Sequence, residues 1–80
     1  MEIKVSKKAV KVIERMDAPT KQRVKTAIFA LPDGDTRQLV GRVSVWRLRV
    51  GDWRVLFSYP DENTILIEKV APRGQAYKEG

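Results

Sequence analysis

The spacing of hydrophobic residues changes once along the chain, from a helical period in the first half to alternation in the second. A short alternating stretch at Glu2–Val5 precedes the helical part and predicts an edge strand. Alternation resumes at Val43 and continues to about Val70. The pattern therefore predicts one strand, then helices, then several strands.

Two helices are predicted in the first half. Ser6 can cap the first helix, whose apolar residues recur at helical spacing: Ala9, Val10, Ile13 and Met16. We expect a solvated face for the basic residues of this helix: Lys7, Lys8, Lys11 and Arg15. Asp17 and Pro19 mark the start of the second helix, whose apolar residues form one stripe: Val24, Ala27, Ile28 and Leu31. The short connection predicts an antiparallel helical hairpin.

The helical part ends at Pro32-Asp33-Gly34, and Asp33–Gln38 is predicted to be a polar loop. Three strands are predicted after it: Arg42–Val50, Trp53–Tyr59 and Thr64–Val70. The order β-α-α-β-β-β predicts a single α+β domain over residues 1–80, an antiparallel sheet with the helical hairpin packed on one face. The other face of the sheet would remain open.

The turn between the first two of these strands fixes the register of a β-hairpin. Gly51-Asp52, with glycine first, fits a two-residue type II′ turn. The expected cross-strand pairs are Val50 with Trp53, Arg49 with Arg54, Leu48 with Val55, Arg47 with Leu56, and Trp46 with Phe57. Cross-strand partners share a face. One face is therefore wholly apolar and places both tryptophans in the core, whereas the other carries three arginines in one unneutralised patch.

Folding alone gives no reason to place Arg47, Arg49 and Arg54 together. Arg49 and Arg54 would lie directly opposite each other, and like charges in this position destabilise a hairpin by up to about 1 kcal/mol. An anionic partner would compensate, because a guanidinium group binds phosphate through paired hydrogen bonds and stays charged. The alternative is a set of solvated arginines paired with a nearby acid such as Glu68. Arg73, and Tyr77 beyond it, follow the last strand and could reach the same face.

Composition narrows the chemistry that the chain can perform. The net charge of +6 favours a polyanionic partner. The chain has no cysteine and no histidine, which removes a thiolate nucleophile, a Cys-based zinc site and the commonest acid–base side chain. Asp33 and Asp35 could be read as metal ligands, but beside Gly34 we interpret them as turn residues and expect no metal site. No apolar leader or membrane-spanning run is present, so we expect a cytoplasmic protein without a membrane partner.

The hairpin and the residues around it resemble a known family. Leu39-Val40-Gly41 precedes the segment Trp46–Val55, and Arg73 and Tyr77 follow the last strand. The Arg-x-Arg-x-Gly-Asp-aromatic-Arg core is the most specific part, and the helical hairpin extends the likeness to nearly the whole chain. This arrangement is similar to the RelE/ParE superfamily of bacterial and archaeal toxins. The resemblance implies a type II toxin that a cognate antitoxin holds inactive, with DNA contacted only through the antitoxin.

The resemblance also implies a reaction. RelE-like toxins cleave mRNA in the ribosomal A site without a metal or organic cofactor, because the ribose 2′-hydroxyl attacks the adjacent phosphate. By position, Arg47 and Arg49 would bind RNA and stabilise charge, and Arg54 would stabilise the phosphate. Arg73 would contact the leaving group or the phosphate, and Tyr77 would orient the substrate or stack on it.

Two departures from the family leave the proton transfers open. The best-known members carry lysines where this chain has Arg47 and Arg49, and some relatives use a histidine that is absent here. Arginine hardly acts as an acid or a base. The base would be Tyr77, a ribosomal group or water.

We therefore expect an endoribonuclease that acts with the ribosome and mRNA, inhibits translation and arrests growth. Two alternatives share the same fold. One is a ParE-like toxin that poisons DNA gyrase, and the other is an inert module that only binds its antitoxin.

Overall fold

The computed structural model describes residues 1–39, 41 and 44–76. Its elements, in chain order, are β1 (Glu2–Val5), α1 (Lys7–Glu14), α2 (Ala18–Phe29), β2 (Thr36–Gln38), β3 (Trp46–Val50), β4 (Trp53–Asp61) and β5 (Thr64–Pro72). These elements confirm the α+β class. Arg42 and Val43, the first residues of the strand predicted over Arg42–Val50, lie outside the described residues. Within the described part of the chain, no helix is long and apolar enough to cross a membrane.

Both helices begin at the predicted caps. The Ser6 hydroxyl accepts a hydrogen bond from the Ala9 N–H at 3.1 Å and donates one to the Glu68 carbonyl at 3.0 Å, which ties the start of α1 to β5. The Asp17 carboxylate accepts from the Thr20 hydroxyl at 2.8 Å and from its N–H at 3.1 Å, and these bonds lower the pKa of Asp17. An N-cap of this kind stabilises a helix by about 1 kcal/mol.

The five strands form one sheet in the order β1-β5-β4-β3-β2. β1 lies at an edge, as predicted, but it runs parallel to β5, so the sheet is mixed rather than wholly antiparallel. Its partner is the last strand of the chain, a pairing that no local pattern encodes. The predicted polar loop Asp33–Gln38 is wrong in its second half, because Thr36–Gln38 forms β2 and pairs with β3. A polar strand of three residues is too short to show alternation.

The main core lies between the helices and one face of the sheet. Its buried residues come from both halves of the chain: Ala9, Ile13, Val24, Ile28, Leu31, Leu48, Val55, Phe57, Ile65, Ile67 and Val70. Trp46 and Trp53 are half-buried against this cluster, which confirms their predicted place in the core. The packing of both helices on one face of the sheet is also confirmed.

The opposite side of the sheet is called the second face below. The prediction that it remains open is wrong in part, because some of its residues are buried. Leu56 and Ala71 point to this face by register, yet only 5% and 7% of their surfaces are exposed. Ala76, beyond β5, is also buried. The Lys69 ammonium donates to the Gln75 carbonyl at 3.3 Å, which brings the chain after β5 onto this face. A small second apolar layer therefore lies beneath the charged side chains.

Candidate functional site

The hairpin formed by β3 and β4 has the predicted register in all five pairs, including Arg49 with Arg54 and Arg47 with Leu56. Gly51 has φ 58°, and Asp52 has no positive φ, which is the backbone pattern of a type II′ turn. Glycine is needed at the first turn position because an L side chain rarely adopts that conformation. The turn thus directs the apolar residues of the hairpin to the core and its arginines to the second face.

The structure adds to the second face one arginine that the sequence did not indicate, and it places Arg73 nearby. Arg37 in β2 lies directly opposite Arg47, and was missed because β2 itself was missed. The Arg73 N–H donates to the Asp52 carbonyl at 2.7 Å, which holds the exposed Arg73 beside the hairpin turn. We call this set the arginine patch: Arg37, Arg47, Arg49, Arg54 and Arg73. The fifth predicted site residue, Tyr77, lies outside the described residues.

Arg54 has a position unlike that of the other arginines in the patch. Its side chain bends back to the turn, where Nη1 donates to the Gly51 carbonyl at 2.8 Å and to the Trp53 carbonyl at 2.9 Å. Only 8% of the residue is exposed. No carboxylate of the described residues forms an ion pair with it. Its buried positive charge is therefore satisfied by peptide dipoles and keeps its attraction for an anion.

The expectation of an unneutralised patch is wrong, because Asp35 pairs with two of its arginines. The Asp35 carboxylate lies 2.6 Å from Nε of Arg49 and 3.8 Å from Nη2 of Arg47. Asp35 was predicted to be a turn residue, and Glu68 was the acid considered as a partner. The unpredicted β2 brings Asp35 beside β3, where its carbonyl accepts the Arg49 N–H at 3.0 Å.

The arginine patch keeps a strong excess of positive charge after this correction. It contains five guanidinium groups, and the ion pairs formed by its described residues involve one carboxylate, that of Asp35. Guanidinium groups stay protonated at any relevant pH, so they supply charge and directed hydrogen bonds rather than proton transfer. The patch is therefore suited to hold a phosphate chain and to stabilise negative charge that develops on it.

The different burial of Arg54 and Arg73 leads to a stability prediction. We expect Arg54→Ala to lower the free energy of unfolding by about 1–3 kcal/mol, because two turn carbonyls lose their donor. Arg73→Ala removes an exposed side chain and should change that free energy by no more than about 0.5 kcal/mol. Urea unfolding at fixed ionic strength measures both. Equal changes in the free energy of unfolding would show that Arg54 does not stabilise the turn.

Comparison with known proteins places this geometry in a family. The model of the family described as "ParE toxin of type II toxin-antitoxin system, parDE" matches residues 3–77. Among curated proteins, none matches the chain.

Two solved structures share the fold. One is the RelB-RelE antitoxin-toxin complex from Methanococcus jannaschii, with 21% identity, a TM-score of 0.75, and coverage of 92% of this chain and 94% of that one. The other is the archaeal RelE-RelB complex from Pyrococcus horikoshii OT3, with 26% identity, a TM-score of 0.70, and coverage of 94% and 97%. With the family match over residues 3–77, these likenesses show that the chain belongs to the ParE toxin family of type II toxin-antitoxin systems, within the RelE/ParE superfamily.

Proposed function

We propose that this toxin is a ribosome-dependent endoribonuclease that cleaves mRNA and thereby arrests growth. The observation that carries the proposal is the arginine patch, whose five arginines form ion pairs with one carboxylate among the described residues, that of Asp35 beside Arg47 and Arg49. Repulsion among the arginines that keep no acidic partner disfavours folding, and a bound anion would relieve it. A ribose–phosphate chain supplies anions at regular spacing, and mRNA on the ribosome is the target that we propose for the patch.

The proposed reaction needs charge stabilisation and positioning from the protein. The RNA 2′-oxygen attacks the adjacent phosphorus, the bond from phosphorus to the 5′-oxygen breaks, and a 2′,3′-cyclic phosphate and a free 5′-hydroxyl result. Negative charge grows on the phosphate oxygens in the transition state, where Arg49, Arg54 and Arg73 would donate hydrogen bonds. Arg37 and Arg47, farther along the sheet, would bind the neighbouring phosphates.

The two protons of this reaction must be handled outside the arginine patch. The 2′-hydroxyl loses one proton and the departing 5′-oxygen gains one, whereas a guanidinium group stays protonated throughout. Tyr77 is the chain's own candidate for this role, beside a ribosomal group or water. No metal or organic cofactor takes part in the proposed reaction.

The proposed partner of the resting toxin is a cognate antitoxin, as in the two solved complexes. A groove of about 240 Å³ runs between α1, α2 and the end of β1, and its lining is mostly apolar: Val5, Val10, Ile13, Glu14, Lys25, Ile28 and Phe29. Phe29 is 70% exposed, and Val10 is 37% exposed. An exposed apolar surface of this kind is typical of a protein-binding site. It lies on the helical side of the sheet, opposite the second face.

A second candidate function is poisoning of DNA gyrase. The observation in its favour is the family match, because the matched family is that of the ParE toxin. RNA cleavage is the better supported function, since it uses the clustered arginines of the second face directly. Both functions place the toxin in the cytoplasm, and any DNA contact of the resting complex would pass through the antitoxin.

Mapping mRNA ends after tightly controlled expression tests the proposed activity. We expect cuts in phase with codons soon after induction. Arg73→Ala should reduce cleavage about 10²-fold, because one donor to the transition state is lost while the fold is kept. Arg15→Ala, an equal charge change at an exposed residue after α1, should leave cleavage unchanged. Growth arrest with intact mRNA and trapped gyrase–DNA complexes would contradict the proposal, and a folded protein without toxicity would favour the inert module.

The groove generates a separate prediction for the antitoxin. Phe29→Ser should weaken antitoxin binding at least about 10-fold, because an aromatic anchor is lost from the interface. Lys8→Ser, at an exposed residue of α1 outside the groove, should leave the affinity unchanged. Calorimetric titration with the purified antitoxin measures both values. An unchanged affinity in the Phe29 variant would place the antitoxin elsewhere.

A further inference from the structure

Asp35 is held firmly at the entrance to β2. Its carbonyl accepts the Arg49 N–H at 3.0 Å, and the next residue, Thr36, donates its N–H to the Gly34 carbonyl at 3.0 Å. The carboxylate therefore reaches the arginine patch from a backbone that is itself tied to β3. Its position is set by the sheet rather than by a flexible loop.

The contact with Arg49 uses one particular nitrogen of the guanidinium group. Oδ2 of Asp35 lies 2.6 Å from Nε, and Oδ1 lies 3.8 Å from the neighbouring Arg47. A guanidinium group has five N–H donors arranged in a plane, and Nε carries one of them. With Nε engaged, the four donors on the two terminal nitrogens remain for a phosphate. About 55% of the Arg49 side chain is exposed, so an anion can approach it.

The same carboxylate acts on RNA in two opposing ways. As a negative charge inside a cationic surface, it weakens the attraction for every phosphate nearby. As an acceptor at Nε, it restricts the rotation of a long side chain before the substrate arrives, so less entropy is lost on binding. Because the ion pair is exposed to solvent, its contribution to folding stability is small. For the rate of the reaction, we expect the orientation of Arg49 to outweigh the weakened attraction for phosphate, because the transition state depends on the direction of each donor.

We propose that Asp35 is a positioning residue of the RNA site, which orients the Arg49 guanidinium toward the reacting phosphate at the expense of overall RNA affinity. The inference rests on the proposed function and adds to it a residue that does not touch RNA. It explains why an acid is placed within a surface that binds a polyanion. Asp35 reduces the repulsion between Arg47 and Arg49 and leaves the terminal nitrogens of Arg49 available.

The test compares Asp35→Asn with wild type in binding and in cleavage. Binding is measured with a single-stranded 2′-O-methyl RNA, which lacks the attacking hydroxyl, over a range of salt concentrations. We expect tighter binding and a salt slope that is steeper by about 0.7, as for one more phosphate neutralised on a single strand. Cleavage of mRNA on programmed ribosomes should show kcat lowered about 10-fold together with a lower KM. A loss of folded protein alone would instead lower the apparent kcat and leave both KM and the salt slope unchanged.

Two further variants separate the contact that Asp35 makes with Arg49 from the general effect of removing one negative charge. Asp33→Asn makes the same charge change two positions earlier, at an exposed acid without an ion pair among the described residues, and should keep the wild-type kcat. Asp35→Glu keeps the carboxylate, so it should keep the wild-type salt slope and recover part of the kcat. It also serves as the test if Asp35→Asn does not fold.

The outcomes distinguish this inference from the function on which it rests. If wild type cleaves mRNA and Asp35→Asn behaves like Asp33→Asn, the positioning role is wrong and the nuclease stands. Weaker RNA binding by Asp35→Asn would also overturn the positioning role. If wild type does not cut mRNA on ribosomes, the proposed function is wrong, and the role of Asp35 is overturned with it.

Discussion

The register of the β3–β4 hairpin is the constraint on which the rest of the structure depends. A two-residue turn with glycine first allows one pairing of the two strands, and alternation then assigns every side chain to a face. The apolar set joins the helices to build the main core. The arginines lie on the other side. A shift of the register by one residue would exchange the two sets. Core formation and the charged surface are therefore consequences of the same turn.

Placing several guanidinium groups on one face requires compensation within the fold. Arg54 is satisfied by two turn carbonyls, and Arg49 and Arg47 share the Asp35 carboxylate. This compensation is partial, because carbonyl dipoles and one carboxylate do not balance five positive charges. The remaining attraction for anions is the property on which the proposed binding of RNA to the second face depends. The exposed Phe29, on the helical side, is suited to a protein partner instead. The two faces of the sheet thus present different chemistry.

The sequence predicted the parts of the fold that depend on neighbouring residues. The caps at Ser6 and Asp17 and the turn at Gly51-Asp52 are local, and each is confirmed. Pairings between distant segments were not predictable in this way. β1 joins the last strand in parallel, and β2 is too short and polar to be recognised.

The same limit explains the errors at the site. The three hairpin arginines were placed correctly because their face follows from alternation. Arg37 and the role of Asp35 were missed because both depend on β2. The burial of Arg54 was missed because alternation predicts which face a side chain lies on, and it does not predict that the side chain bends back to its own turn. The role of Tyr77 remains a prediction.

The most direct measurement is an NMR titration of the arginine Nε–H resonances with a 2′-O-methyl RNA strand. If the second face binds the phosphate chain, the resonances of the arginine patch shift together and saturate at one RNA concentration. The resonance of Arg15, which lies at the end of α1, should stay unchanged. Shifts that spread evenly over all arginines, or that concentrate on the helices and spare Arg49 and Arg54, would contradict the assignment of the second face to RNA.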